Sequence, residues 1–390
     1  MSRYEQVTLG SLVSEYSERN RALACNDVYS VTNSAGFVPS TDYFSKEVFS
    51  KDISNYKTVH KGMFAYNPSR VNVGSLAWLK DKDTVVVSPL YVVFKIEENK
   101  LRQQYLEYYL HSDLGISQIR SLTSGSVRDS LKFSALARIV MPLPPLEKQE
   151  RIIAALDCIT EVQKKRREQI AVLDKLATDT FVDMFGDGKE YEARKLSDVS
   201  VVIGGLTKNS AKRKSYTLVL PYLRVANVQF NSFDLSEIMQ LNVHPNELGK
   251  GLLKKDDLLF VEGNGSLEQI GRVAVWDGSI EPCVHQNHLI KARFKDGVVI
   301  PQYAMYYFMS LAGRKQIVDK SVTTTGLNTL SVSKVESLQL PVPSLDLQHK
   351  FTSITEKTER QKSRLQTSLA ELATTYKSIL QNAFNGELFH

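Results

Sequence analysis

Apolar and small residues recur at steps of four and three through two stretches of the chain. In the first they fall at Ile152, Leu156 and Ile159, then at Ile170, Leu173, Ala177, Thr180 and Met184. In the second they fall at Phe351, Thr355 and Thr358, then at Leu365, Leu369, Leu372, Tyr376, Ile379 and Ala383. A period near ~3.5 predicts two long helices with a supercoiled seam. At about 35 residues each, they span roughly 50 Å. The middle of each seam is polar, with Gln163 and Arg166 in one and Lys362 in the other, which is how seams fix register and orientation. Two isolated stripes of this length expose too much apolar surface, so the helices are expected to pair with each other. Chain order makes the pair antiparallel.

Each helix follows a proline-rich hinge, and the hinges are copies. Pro142-Leu143-Pro144-Pro145-Leu146-Glu147-Lys148-Gln149 lies 199 positions (341 − 142) before Pro341-Val342-Pro343-Ser344-Leu345-Asp346-Leu347-Gln348. The repeat extends upstream. Gln104-Tyr105-Leu106-Glu107-Tyr108-Tyr109-Leu110 matches Gln302-Tyr303-Ala304-Met305-Tyr306-Tyr307-Phe308. Both follow strand-like runs, Tyr91 to Ile96 and His288 to Phe294. Further strands are predicted at Met63 to Tyr66 and Leu258 to Val261, and Asn72-Val73-Gly74 corresponds to Gln269-Ile270-Gly271. Glycine stops follow both helices, at Phe185-Gly186 and Phe384-Asn385-Gly386. Residues 10–60 and 197–255 share almost nothing. A duplicated scaffold with diverged parts implies pseudo-two-fold symmetry. Such an object suits a partner that is itself two-fold, and duplex DNA is the leading candidate.

Composition narrows this little. The chain has 390 residues, 42% hydrophobic and 24% charged, as soluble globular proteins do. No apolar run reaches membrane-span length, and Met1 to Gln6 has no signal-like core. Cys25, Cys158 and Cys283 are far apart, which fits free thiols in a reducing cytosol. The net charge is +6, and residues 1–146 and 186–343 carry +3 each. That permits phosphate contact without demonstrating it.

Catalytic parts are scarce. Gly263-Asn264-Gly265 lacks the third glycine and following helix of a nucleotide loop, and no ATP loop occurs. No Asn-Pro-Pro-aromatic string of the amino-methyltransferase kind is present. Cys283, His285 and His288 have metal-like spacing but no second ligand pair, so the expectation is no metal. Lys164-Lys165-Arg166-Arg167 points all round a helix and reads as a solvated face.

The hinge opening a helix, the string Tyr66-Asn67-Pro68-Ser69-Arg70-Val71-Asn72-Val73-Gly74-Ser75, and Asn382-Ala383-Phe384-Asn385-Gly386-Glu387-Leu388 together resemble the specificity subunit of type I restriction-modification systems. The resemblance covers the whole chain. It implies an α+β protein with two α/β target recognition domains (residues 1–145 and 187–343). These are separated by a central helix (146–186) and a distal helix (344–388) in an antiparallel coiled coil. It also implies a non-catalytic subunit that reads a bipartite target in double-stranded DNA and scaffolds two modification subunits, with restriction subunits able to join. No cofactor is implied in this chain; S-adenosylmethionine, ATP and Mg belong to the partner subunits. The implied location is cytoplasmic. One departure is plain: the second copy has Phe260-Val261-Glu262-Gly263-Asn264-Gly265-Ser266 where the first has the Tyr-Asn-Pro-Ser-Arg string.

Base edges are read by short directional groups on loops. The candidates are Tyr66, Asn67, Ser69, Arg70 and Asn72 in one turn; Ser124, Ser126 and Arg128 before the first hinge; and Asn264, Ser266, Arg272, Gln286, Asn287, Thr324, Thr325 and Asn328 in the second copy. The seam residues expected to pair are Ile152, Leu156, Ile159, Ile170 and Leu173 with Leu365, Leu369, Leu372, Tyr376 and Ile379. A duplicated coiled-coil adaptor that binds proteins only is the alternative reading. A stand-alone enzyme is disfavoured by the missing motifs.

Overall fold

The computed structural model describes residues 4–33, 35–43, 52–123, 130–208, 213–264, 266, 268–324 and 327–388. The chain divides into two compact units, Met1–Arg167 with Thr367–His390, and Glu168–Gln366.

Each unit holds one copy of the same sheet, because the apolar runs recur in the same order. In the first copy, strands Val13–Tyr16, Val92–Ile96, Phe64–Tyr66 and Leu76–Trp78 lie side by side in that order, all antiparallel. In the second, Ser200–Gly204, Leu289–Phe294, Leu258–Val261 and Val273–Val275 repeat the order. Pairing Phe64 with Phe94 matches pairing Leu258 with Ala292, so Tyr66 and Phe260 occupy the same place. One face of each sheet carries the helix that the repeated tyrosine motif forms, Gln103–His111 and Pro301–Met309. A second helix follows each, Asp113–Leu122 and Leu311–Lys320, capped by Ser112 and Ser310. The tight corner between the helices needs glycine. A Cβ on Gly115 would lie 2.2 Å from the Tyr109 carbonyl oxygen, and one on Gly313 would lie 2.1 Å from that of Tyr307.

The diverged parts differ in structure as well as in sequence. The first copy adds a hairpin, Tyr29–Thr32 with Gly36–Pro39, and an antiparallel pair, Lys57–His60 with Thr84–Val87. The second adds a three-stranded sheet of Met239–Val243, Leu218–Leu223 and Val284–His285, with one parallel pairing.

The hinges form short strands before the helices begin. Val140–Pro142 pairs with Gln6–Thr8, and Gln339–Pro341 pairs with Ala193–Lys195. The motif glutamines explain why the hinge is retained twice. Gln149 is fully buried, accepts from the Arg102 amide (2.9 Å) and donates to the Lys100 and Pro144 carbonyls (2.8 and 2.9 Å). Gln348 accepts from the Ile300 amide (2.8 Å) and donates to the Val298 and Pro343 carbonyls (3.2 and 2.9 Å). Tyr105 and Tyr303 add matching bonds to the Pro142 and Pro341 carbonyls (3.0 and 2.9 Å). One side chain per copy thus fixes the helix against its own sheet domain.

The long helices are Leu146–Phe185 and Leu345–Asn385, 40 and 41 residues. They run past the periodic stretches Ile152–Met184 and Phe351–Ala383 because each starts within the hinge motif itself, close to the expected bounds of 146–186 and 344–388. Both units contain an antiparallel helix pair. In the first, Ile152 and Leu156 share a core with Ala383 and Phe384, with Tyr376 packed against it. In the second, Lys362 bonds Asp174 at 2.6 Å while Phe351 meets Phe181 and Phe185, so rising numbers on one helix face falling numbers on the other. The polar layer expected at Lys362 is therefore an ion pair across the seam. Ile152 and Leu156 are completely buried. Ile159, Ile170, Leu173, Leu365, Leu369, Leu372, Tyr376 and Ile379 are only partly covered. Aromatic rings do most of the joining. Phe384 stacks edge-on against Tyr105 and Tyr109 (centroids 5.4 and 5.0 Å), and Phe351 lies edge-on to Phe181, Phe185 and Tyr306 (5.4, 5.5 and 5.1 Å).

Candidate nucleic-acid interface

In each copy a central strand ends in a polar turn that the chain near the hinge holds in place. In the first, the Leu131 amide donates to the Pro68 carbonyl (3.1 Å), and the Tyr66 hydroxyl donates to that of Leu131 (3.1 Å). In the second, the Leu330 amide donates to the Glu262 carbonyl (2.7 Å). Pro68 and Glu262 are thus equivalent positions, each two residues beyond the matched Tyr66 and Phe260.

The first turn is built locally. Asn67 Oδ1 accepts from the Ser69 amide (3.1 Å), the Arg70 amide closes onto the Asn67 carbonyl (2.9 Å), and a single helical turn follows at Val71–Val73. Gly74 ends it at φ 90°, a conformation that disfavours any Cβ. His111 pins this end through Nε2 and the Gly74 carbonyl oxygen (3.2 Å). Ser69 and Arg70 are exposed, while Asn67 and Asn72 are partly so. Asn67 and Arg70 line a cavity of about 260 Å³ with Ser30, Thr32, Asn33 and Ser75. Tyr66 does not belong with them. Its ring is fully buried and burial pushes its phenol far above the usual range, so it is a core residue holding the turn from beneath. The sequence showed an aromatic in a polar string but not which way it faces. Ser124, Ser126 and Arg128 lie outside the described residues.

Three separate segments meet in the second copy. Gly263–Asn264 pairs with Leu327–Thr329, which pairs with Val322–Thr324, so the backbones of Asn264, Thr324 and Asn328 share one small sheet. Beside it the Glu262 amide donates to the His288 carbonyl (2.9 Å), bringing in the loop of Gln286 and Asn287. That loop is held by its own backbone, Gln286 to the Leu223 carbonyl (3.0 Å) and Asn287 to that of Leu206 (2.9 Å), which leaves both partly exposed amide side chains for an outside partner. Ser266 is exposed. Thr325 and the side chains of Asn264 and Thr324 lie outside the described residues.

Two candidates here are corrected. Asn328 is 5% exposed, its side chain folded into the protein. Arg272 spends its guanidinium on the Gln229 and Gln269 side chains (3.3 and 3.1 Å) and the Val225 carbonyl (3.1 Å), and burial lowers its pKa. It braces neighbouring loops, with three of its five N–H groups given to internal acceptors.

The loop rests on a buried polar support. His285 is completely buried with Nδ1 bonded to the Gly251 carbonyl oxygen (2.8 Å); burial first, then the nearby Lys291, hold its pKa down at about 4. Lys291 is itself buried, donates to the Leu252 carbonyl (2.7 Å), and is brought down to about 8 mainly by desolvation. Asp257, fully buried, takes both forks of Arg293 at 2.6 Å. Cys283 is buried and His285 is held through Nδ1; among the described residues no three His, Cys, Asp or Glu side chains gather as a metal site. Gly205 completes the support. A Cβ there would lie 2.2 Å from the Gln286 carbonyl oxygen and 2.4 Å from that of His285. Gly205→Ala is therefore expected to destabilise this copy by about 1–3 kcal/mol in chemical denaturation and to displace the loop.

The candidates read from the sequence did not include Glu262, and weighed His288 only as a metal ligand. The Glu262 carboxylate meets His288 Nδ1 at 2.9 Å on the rim of these converging segments. The signal was in the alignment of the two copies, where Glu262 replaces Pro68.

The chain is thus a duplicated α+β scaffold in which each copy ends in a diverged set of short polar side chains on braced loops. The sequence model described as type I restriction modification DNA specificity domain matches residues 18–172 and again 188–373. The chain belongs to that family. It is 27% identical over 308 residues to the type I restriction enzyme EcoKI specificity subunit of Escherichia coli K12, covering 73% of this chain. The match spans 65% of that relative's length. Among solved structures it resembles one described under complex assembly and conformational transition of the type I restriction-modification system, with TM-score 0.62, 16% identity, and 99% and 98% of the two chains covered. It also resembles the S subunit from M. genitalium, with TM-score 0.56, 15% identity, and 98% and 96% covered. These structural likenesses extend over both copies and concern the fold.

Proposed function

We propose that this chain is the DNA-reading subunit of a type I restriction-modification complex. One observation carries the reading: the sheet, hinge and helix are repeated with the same topology while the residues on the braced turns are not. A scaffold kept twice with unlike tips suits a two-part target whose halves differ in sequence. The turns offer Asn67, Ser69, Arg70 and Asn72 in one copy and Gln286 and Asn287 in the other, the side-chain types that read base edges. The mild positive charge of both halves favours phosphate contacts, which position the protein without specifying sequence. The chain itself performs no chemistry in this reading. Two modification subunits supply S-adenosylmethionine-dependent adenine methylation, which needs the target base extruded from the duplex. Restriction subunits supply the ATP- and Mg-dependent steps. The complex works in the cytoplasm; no helix among the described residues is long and apolar enough to cross a membrane. The paired helices act as the spacer between half-sites, as dimer geometry sets half-site distance in other readers.

The test exchanges residues 1–141 for those of another family member and maps methylated adenines in the host genome. One half of the target is expected to change and the other to stay. A change in both halves, or none, defeats the modular reading. Sequence-specific DNA retention by the assembled complex should also fall steeply with salt, the logarithm of affinity dropping by about 0.9 per phosphate contact per log unit of salt. A protein-only adaptor retains no specific DNA at any salt.

A further inference from the structure

We propose that Glu262 is a specificity-determining residue that accepts a hydrogen bond from the exocyclic amino group of a cytosine in the half-site read by the second copy. This rests on the DNA-reading function above and names one chemical contact within it.

The position argues first. Glu262 stands where the first copy has Pro68, at the end of the same central strand, under the same amide clamp from the chain near the hinge. The three segments that converge in the second copy all touch it. Its carbonyl receives the Leu330 amide, its amide reaches the His288 carbonyl, and Gly263–Asn264 beyond it pairs with Asn328–Thr329. The side chain is 29% exposed, so it is held in place yet reachable.

The charge argues second. A carboxylate on a surface that meets phosphates is repelled by them, so it weakens general DNA affinity. It is tolerable where it makes a contact that only a donor can satisfy. Cytosine presents such a donor in the major groove, and carboxylates are its usual partner. Phosphate, guanine O6 and N7, and thymine O4 are all acceptors and are rejected by the same group, and adenine sets its N7 acceptor beside its N6 donor, which a carboxylate disfavours. His288 supports the arrangement. Its Nδ1 lies 2.9 Å from Oε2 of Glu262, which orients the carboxylate and leaves Oε1 for a base. His288 is 55% exposed and its backbone belongs to the braced Gln286–Asn287 loop, so the pair sits at the rim and not in the core.

The experiment uses the full chain assembled with its modification subunits and a randomised DNA library, comparing wild type with Glu262→Gln, which keeps shape but adds a donor. The expected result is a loss of about ten- to a hundredfold in preference for cytosine at one position of one half-site, with the other half-site unchanged. A Glu262→Gln profile identical to wild type overturns the proposal. A wild-type complex with no sequence preference in either half removes it together with the DNA-reading function, so the two failures are distinguishable. If Glu262→Gln abolishes binding, wild-type protein decides. Replacing each half-site cytosine in turn by 2-pyrimidinone, which lacks the amino group, must weaken binding at one position, and must lose that effect in Glu262→Ala if the variant binds at all. Uniform tolerance of 2-pyrimidinone in wild type overturns the assignment.

Discussion

Phe351→Ala is expected to destabilise the second compact unit by about 3–5 kcal/mol, the range for emptying a well-packed aromatic site. Phe351 is fully buried and lies between rings from three directions, Phe181 and Phe185 on the first long helix and Tyr306 on the sheet-covering helix. Phe181 cannot readily move into the space, because it is itself packed against Tyr303 and Tyr306. The loss should appear as earlier unfolding in denaturant and as faster amide exchange in Pro301–Met309. Exchange in Gln103–His111, which belongs to the other unit, should change little. Equal loss of protection in both helices would show that the two units unfold as one.

Gln348→Leu is expected to cost on the order of 3 kcal/mol. It removes three hydrogen bonds at once and leaves the Ile300 amide and the Val298 and Pro343 carbonyls to find other partners. Leucine fills most of the same volume, so the loss measures polar satisfaction more than packing. Gln149→Leu should cost a similar amount through Arg102, Lys100 and Pro144. The two sites share no partner, so the double variant should show the sum of the single losses in denaturation. A loss below about 0.5 kcal/mol in either single variant would mean water replaces the glutamine without penalty.

The fold was legible because its strongest signals are periodic and repeated. The seam positions gave two helices, the hinge copies gave the duplication, and both stood out against diverged surroundings. The partial exposure of Ile170, Leu173, Leu365 and Leu369 was not legible, since a heptad pattern marks a stripe and not how closely another element covers it. The candidate site was legible as segments but not as side chains. The turn after Tyr66 and the loop of Gln286 and Asn287 do lie at equivalent or converging places. Tyr66, Arg272 and Asn328 failed because a polar or amphipathic side chain near a turn points inward or outward according to contacts with distant segments of the chain, such as Leu131 for Tyr66. Arg272, for example, is held by Gln229 and Val225, in a segment that shares no pattern with the first copy. Glu262 was passed over because carboxylates are not sought on surfaces expected to meet phosphates.

The first unit is finished only by Thr367–His390, so its core closes across most of the chain. Phe384 meets Tyr105 from 279 positions away (384 − 105). A ribosome that has released residue 167 must still make more than half the protein before that ring arrives. At ~5–20 residues per second the delay is roughly 10–40 s. During it Tyr105, Tyr109, Ile152 and Leu156 form a sticky, half-covered patch on the emerging polypeptide. Cells making this protein therefore face a window of nascent-chain aggregation, which transient chaperone cover of that patch would close.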